Sequence, residues 1–464
     1  MKQHSVAVTL ICIFMLNGCG EDEEIPIELN GIWEQTGYGD VYVVEKDGAV
    51  LYQYTRETCL LANKLKSKAF NKLVTDVELQ DDGLAFTARS SVTPAFRVHF
   101  SRFKSLPETC NGATFISKAA PTQTFEHLWH TFNDYYAFFA ERDVDWKAQY
   151  RAHREQVVDD MSNRALFSLL SKMLSPIDDA HIVLSSSSKE FSPSKLTGRD
   201  VILSEGFQNQ SVFEDFDDYE AAQIRLYNKT LLKYLDEDSI QRAGGIHDSL
   251  LLWGTIKSRV GYLRIRSMES IASNPGESVS DDIEAVQAIM DQVLNDLRDT
   301  DAMVIDVRFN DGGNDAVSLA IASRFTDTRR LAMTKTARSY RGETTPREAY
   351  LVPQDGKPFS KPVAVITGPD TISAAEIFVL AMRALPQVIQ VGELTRGVLS
   401  DELEKSLPNG WMVTLSNEVY YDHIGTSYEA KGIPPHIKAS VFSLNDLEAG
   451  QNSALDTALD AVLP

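Results

Sequence analysis

Apolar positions change their spacing several times along this chain, and each change predicts a different kind of structure. Between residues 28 and 105 they come in short runs, among them Val41-Tyr42-Val43-Val44 and Ala49-Val50-Leu51-Tyr52-Gln53-Tyr54, with the turn pairs Asp47-Gly48 and Asp82-Gly83 between such runs. β-branched and aromatic runs broken by turn residues predict a small antiparallel β domain. Past Pro121 the period lengthens. Phe125, Leu128, Trp129, Phe132, Tyr135, Tyr136 and Phe139 recur at helical spacing, and a second helix is predicted from Ala165 to Leu174. An aromatic stripe of this kind is read as a packing face.

Residues 186–258 carry a serine run, the acidic stretch Glu214-Asp215-Phe216-Asp217-Asp218, and an amphipathic helix on Ile224, Leu231, Leu232 and Leu235. Charge runs of this sort form solvated faces. From Val260 the pattern alternates. Gly261 to Ile265 reads as a strand, Ile283 to Leu297 as a helix, Ala302 to Val307 as a strand and Asp315 to Phe325 as a helix. Val363 to Thr367, Ser373 to Leu385 and Val388 to Val391 continue as strand, helix and strand, an order that predicts an α/β unit.

The chain has 464 residues, 43% hydrophobic and 24% charged, enough for several folded units of ordinary globular composition. Its 45 lysines and arginines face 66 aspartates and glutamates, a net charge of −21 that repels phosphate backbones and argues against nucleic acid as a partner.

Lys2 followed by the apolar run Val6 to Leu16 reads as an export signal too short to span a bilayer. The run ends in Leu16-Asn17-Gly18-Cys19, which resembles a bacterial lipobox, with Cys19 as the lipidated first residue of the mature protein. Of the four cysteines, Cys59 and Cys110 remain after Cys12 and Cys19 are set aside. Outside the cytoplasm these two are expected to pair, closing a loop worth about 4 kcal/mol of unfolded-state entropy.

Several chemistries are absent from the sequence: it holds no Gly-x-Ser-x-Gly elbow, His-Glu-x-x-His helix or Walker loop. The His127-x-x-His130 pair lies on the aromatic helix with no carboxylate at metal-ligand spacing except Glu126, and no metal or cofactor is expected. Two strand ends carry more. Asp306-Val307-Arg308-Phe309-Asn310-Asp311-Gly312-Gly313 closes one strand with a diglycine able to turn N–H groups toward a ligand. Thr371-Ile372-Ser373-Ala374-Ala375-Glu376 opens a helix with a hydroxyl at its N-terminus. Alone, Ser373 would be an ordinary helix cap. Paired with a diglycine cradle, it has the parts that acyl transfer needs.

These segments, in order, resemble the tail-specific or C-terminal-processing serine proteases, in particular the branch with the tricorn catalytic core and the retinoid-binding relatives. The resemblance covers roughly residues 120–440. It rests on Phe125-Glu126-His127-Leu128-Trp129 with Asp145-Trp146, on Asp178-Asp179-Ala180-His181, on the two strand ends, on Val391 to Gly397, and on Tyr428-Glu429-Ala430-Lys431-Gly432-Ile433-Pro434-Pro435. It implies a crotonase-like α/β catalytic domain, with Ser373 as nucleophile and an oxyanion hole from Gly312 or Gly313 and the Ala374 amide. The lysine base of the C-terminal-processing branch falls at Val398, which cannot take a proton. His181 matches the histidine of the tricorn-like branch, ahead of His423 and His436, and Glu429 its orienting carboxylate. That branch has a serine before the histidine, where this chain has Ala180. A histidine base with an ordinary pKa predicts activity rising with pH near neutrality.

The expected organisation is a lipoprotein signal peptide (1–18), an N-terminal β domain (19–118), a helical lead-in with the histidine segment (119–186), an acidic helical insertion in place of a PDZ module (187–258) and the α/β catalytic domain (259–464). The expected protein is an exported serine peptidase, lipid-anchored in a bacterial cell envelope, acting on a peptide or protein substrate. A binding protein on the same fold, holding a peptide or a hydrophobic ligand, is the alternative, and a scaffold lipoprotein retaining the catalytic fold is a third reading. Replacing Cys19 by serine is expected to move the mature protein from the membrane to the soluble fraction. Unchanged membrane association with an unmodified N-terminus by mass spectrometry would contradict the lipidation.

Overall fold

A computed structural model describes residues 24–91, 93–113, 119–196, 198–272 and 278–463. The signal segment and Cys19 lie outside the described residues. Among the described residues, no helix is long and apolar enough to cross a membrane.

The short N-terminal runs form one seven-stranded antiparallel sheet, ordered Cys59–Lys66, Gly48–Tyr54, Asp40–Glu45, Gly31–Gln35, Arg97–Phe103, Ala85–Ser90 and Val74–Leu79. A Cys59–Cys110 disulfide ties its edge strand to the segment leaving the sheet. Trp33 and Phe86 from this sheet share one apolar core with Phe125, Phe132 and Leu170 of the lead-in helices and with Val413 and Leu415 far along the chain. The aromatic stripe thus packs, and it packs between the β domain and the rest.

A second seven-stranded sheet follows the order Gln241–Ala243, Leu251–Ile256, Val260–Ile265, Ala302–Asp306, Val363–Thr367, Val388–Gly392 and Ile437–Lys438, parallel from Val260 onward. Successive side chains point to opposite faces. Met303, Ile305 and Val365 pack against the helices Val279–Asp296, Asp315–Ala322 and Ala374–Arg383. Val304, Ala364 and Ile366 pack against Phe216–Leu232 and Ser453–Val462 on the other side. A sheet covered on both faces needs apolar residues at nearly every position, which is why these strands read as continuous runs.

The sheet also takes in residues 241–256, which the sequence pattern had grouped with the helical insertion. Leu251–Ile256 pairs antiparallel with Val260–Ile265 as a hairpin. Its alternation is hidden because Leu251, Leu252, Trp253 and Ile256 are all buried.

A buried ionic network joins the β domain to the strands beside the second sheet. Lys335 Nζ donates to Glu418 Oε2 at 2.7 Å and to Asp401 Oδ2 at 2.8 Å, and Arg347 donates to Glu418 Oε1 at 2.8 Å. Tyr38, from the β domain, donates its hydroxyl to the same Glu418 oxygen. Burial opposes the charge on Glu418, but Lys335 and Arg347 outweigh it and pull its pKa down to about 2. Glu418→Ala leaves these cations incompletely paired and is expected to cost about 3–5 kcal/mol, measured by chemical unfolding. A loss under about 1 kcal/mol would show that the network contributes little. Because the folded pKa lies below the unfolded value near 4.3, the stabilisation is complete above that pH and is lost as the pH falls toward 2. The stability gap between wild type and Glu418→Gln is expected to close over that window.

Candidate active site

Two loops at the carboxyl ends of neighbouring strands meet here, where open α/β sheets place their ligands. After Ala302–Asp306 comes the diglycine loop; after Val363–Thr367 comes the turn that starts the helix Ala374–Arg383. Ser373 stands at that helix start with φ 55° and ψ −127°, a conformation that costs an L-residue on the order of 1–3 kcal/mol and is kept only where surroundings enforce it. Its N–H donates to the Val398 carbonyl at 3.0 Å and to Glu376 Oε2 at 3.3 Å. Glu376 is fully buried, and its carboxylate also accepts from Thr395 Oγ1 (2.5 Å), Gly397 N (2.8 Å) and Val398 N (2.8 Å). One carboxylate therefore fixes the helix start against the loop 395–398.

The Ser373 hydroxyl lies 3.1 Å from His181 Nε2, although the residues are 192 positions apart. Burial, aided by Arg142 and opposed by Asp179, lowers the His181 pKa from 6.5 to about 4. The imidazole is therefore neutral at physiological pH, and the expectation of a titration near neutrality is corrected downward by its desolvation. Thr414 holds the segment: its hydroxyl donates to the His181 carbonyl at 2.6 Å and accepts from Val183 N at 3.0 Å. Asp179 Oδ1 accepts from the His181 backbone N–H at 3.0 Å, not from the ring, and its Oδ2 accepts from Tyr136 at 2.9 Å. His181 Nδ1 is buried and has no hydrogen-bond partner among the described residues.

The diglycine loop is divided between two tasks. Gly312 N–H donates to Asn310 Oδ1 at 2.9 Å, and its carbonyl accepts from Met268 N at 2.7 Å. A Cβ on Gly312, at φ 96°, would sit 2.7 Å from the Ser373 Cβ. Gly312 thus permits close approach, and its amide is occupied. Among the described residues, the N–H groups of Gly313 and Ala374 have no acceptor in the protein. Ala374 is the first residue of its helix, where such N–H groups are ordinarily unpaired.

Glu429 makes no hydrogen bond to Ser373 or His181. Its Oε2 accepts from Leu399 N (2.7 Å) and Ser400 N (3.2 Å), and its Oε1 from Arg142 at 2.9 Å. Burial and then Asp179 push its pKa up to about 8, against the pull of Arg142. Arg142 was not singled out in the sequence. Buried, it also reaches Asp179 at 3.5 Å and the carbonyls of Asp178 and Gly397. It joins the histidine segment to the loop that supports Ser373. In sequence it sits in Glu141-Arg142-Asp143, which looks like a surface turn.

Residues 259–439 match the family model of peptidase family S41, and residues 117–175 match the tricorn protease C1 domain. A solved structure from Parabacteroides merdae ATCC 43184 superimposes with a TM-score of 0.59 and 26% identity, covering 75% of this chain and 98% of its own. Mature CPAF complexed with lactacystin shares the fold, with a TM-score of 0.51 and 13% identity over 74% of this chain and 97% of its own. The matches to the α/β domain and to the helical lead-in together support the tail-specific S41 family of serine proteases for this chain.

Proposed function

We propose that this protein hydrolyses peptide bonds through an acyl-enzyme on Ser373, with His181 as general base. The 3.1 Å contact between Ser373 Oγ and His181 Nε2 carries the reading. Ser373 Oγ attacks the scissile carbonyl while Nε2 takes the hydroxyl proton. The developing oxyanion faces the free amides of Gly313 and Ala374, so the hole is built from these two, while Gly312 supplies room. Collapse of the tetrahedral intermediate breaks the C–N bond, and His181 returns the proton to the leaving amine. Water then attacks the ester with His181 again as base, releasing the acid and restoring the serine. Glu429 and Arg142 act at one remove, as positioning residues for the two loops.

The substrate is a peptide or protein. The export signal and Cys19 support a lipid-anchored enzyme working in the cell envelope, and the Cys59–Cys110 disulfide agrees with an oxidising compartment.

Ser373→Ala is expected to abolish hydrolysis and fluorophosphonate labelling while keeping the fold, since the Ser373 hydroxyl makes no cap hydrogen bond and its contact is to His181. Turnover by the folded variant, or labelling at another serine, would overturn the nucleophile assignment. Activity depends on neutral His181, so it is expected to rise with pH through about 4 and then level off. His181→Ala should lower the rate by at least about 10²-fold and remove that acidic limb. A limb that persists in the variant would move the base elsewhere.

A further inference from the structure

The far side of the His181 ring poses a question that the Ser373 contact does not answer. For Nε2 to take the serine proton, the proton of the neutral imidazole must stand on Nδ1. That atom is buried and has no partner among the described residues. A buried donor left unpaired is costly, and one on the ring of a general base leaves the tautomer unset.

The polar groups around the ring are engaged elsewhere. Asp179 accepts from the His181 backbone and from Tyr136, and Glu429 accepts from Leu399, Ser400 and Arg142. The Ser400 hydroxyl donates to the Asp401 carbonyl and accepts from Glu418 N. Ser416 differs. It is fully buried, and its Oγ has no partner among the described residues.

Strand geometry sets this hydroxyl on the side where His181 lies. The strand Met412–Ser416 pairs antiparallel with Leu184–Ser185, Val413 facing Leu184, and Thr414 N continues the ladder by donating to Val183 O at 3.0 Å. In an antiparallel pair the residues before Leu184 run alongside those after Val413, which brings His181 level with Ser416. Positions two apart in a strand share a face, so Thr414 and Ser416 present their side chains together. The Thr414 hydroxyl, at 2.6 Å from the His181 carbonyl and 3.0 Å from Val183 N, holds the histidine segment over that face. From the other flank, the Ser416 carbonyl accepts from Ala137 N at 3.0 Å, next to the Tyr136 that reaches Asp179. The Ser416 main chain is thereby fixed, and its hydroxyl is left to turn about χ1 between staggered wells.

We propose that Ser416 is the positioning residue of the general base: turned about χ1, its Oγ accepts a hydrogen bond from His181 Nδ1. The proposal rests on the peptidase reading above and deepens it, supplying the polar contact that Ala180 beside the histidine does not make. No proton passes to Ser416; the Nδ1 proton stays on the ring. The bond selects the tautomer with a bare Nε2, and it strengthens once Nε2 has taken the Ser373 proton and the ring carries a positive charge. Catalytic hydrogen bonds are often long in unliganded enzymes and tighten as the reaction proceeds.

The test compares full-length wild type with Ser416→Ala and Ser416→Thr. It follows cleavage of a quenched fluorescent peptide library, the rate of fluorophosphonate labelling, and the nitrogen NMR shifts of the His181 ring in isotopically labelled protein, assigned with His181→Ala. Ser416→Ala is expected to lower kcat and the labelling rate by about 10- to 100-fold, the effect of losing a hydrogen bond to a charged group, with KM within about twofold and the thermal midpoint retained. Its ring shifts should move from the Nδ1-protonated form toward a mixture of tautomers. Ser416→Thr keeps the hydroxyl and should keep the wild-type shifts and most of the rate. If Ser416→Ala fails to fold, Ser416→Cys, with its poor acceptor, is read in its place. An unchanged kcat in the folded variant, a slower rate with unchanged ring shifts, or a folded Ser416→Thr as slow as Ser416→Ala overturns the assignment. Ring shifts that move in Ser416→Ala, in a protein whose wild type neither cleaves nor labels, would leave the hydrogen bond standing and count against the peptidase reading.

Discussion

The guanidinium of Arg142 is the contact on which the arrangement of the site depends. His181 arrives on the helical lead-in, Ser373 on the catalytic sheet, and the two meet at hydrogen-bond distance across 192 positions of chain. Arg142 binds the histidine segment through Asp178 and Asp179 and the serine-supporting loop through Gly397 and Glu429. A buried cation with these partners resists sliding of one segment over the other, because any shift would strand charge in a low-dielectric interior. Glu376 does the corresponding work on the serine side, with four hydrogen bonds from Ser373 and the loop 395–398. The lead-in is thus as much a part of the site as the sheet is.

Parts of this arrangement were legible in the sequence for clear physical reasons. The alternating runs from Val260 onward became the covered parallel sheet, and the β-rich start became the antiparallel sheet. The segments of Ser373 and His181 were singled out because they carry motif residues on both sides, and the structure brings the two side chains within 3.1 Å of each other. Leu251–Ile256 was missed because a strand buried on both faces shows no period of two. Arg142 was missed because a charged residue in a turn looks alike whether it faces water or two carboxylates. That the Gly312 amide is taken up by the Asn310 side chain could not be read from spacing.

The electrostatics are uneven on purpose-built scales. The chain as a whole is strongly acidic, yet its interior cations sit where segments from different parts of the sequence must be joined: Lys335 and Arg347 under the β domain, Arg308 between Asp306 and the C-terminal segment, Arg142 at the site. Such pairs add little net stability over apolar packing, but each is directional and tolerates few alternative dockings. Apolar contacts in the three large cores supply the cohesion, and the ion pairs set the register.

The backbone of Ser373 has a consequence for how this sequence can drift. At φ 55° and ψ −127° glycine is the residue under least strain, so replacing Ser373 by glycine would relieve part of that strain and remove the hydroxyl in the same step. Under the acyl-enzyme reading proposed above, stability and chemistry therefore pull in opposite directions at one codon. A lineage freed from the need for the hydroxyl has a downhill path away from it, and a lineage that keeps serine there does so against the conformational preference of its own main chain.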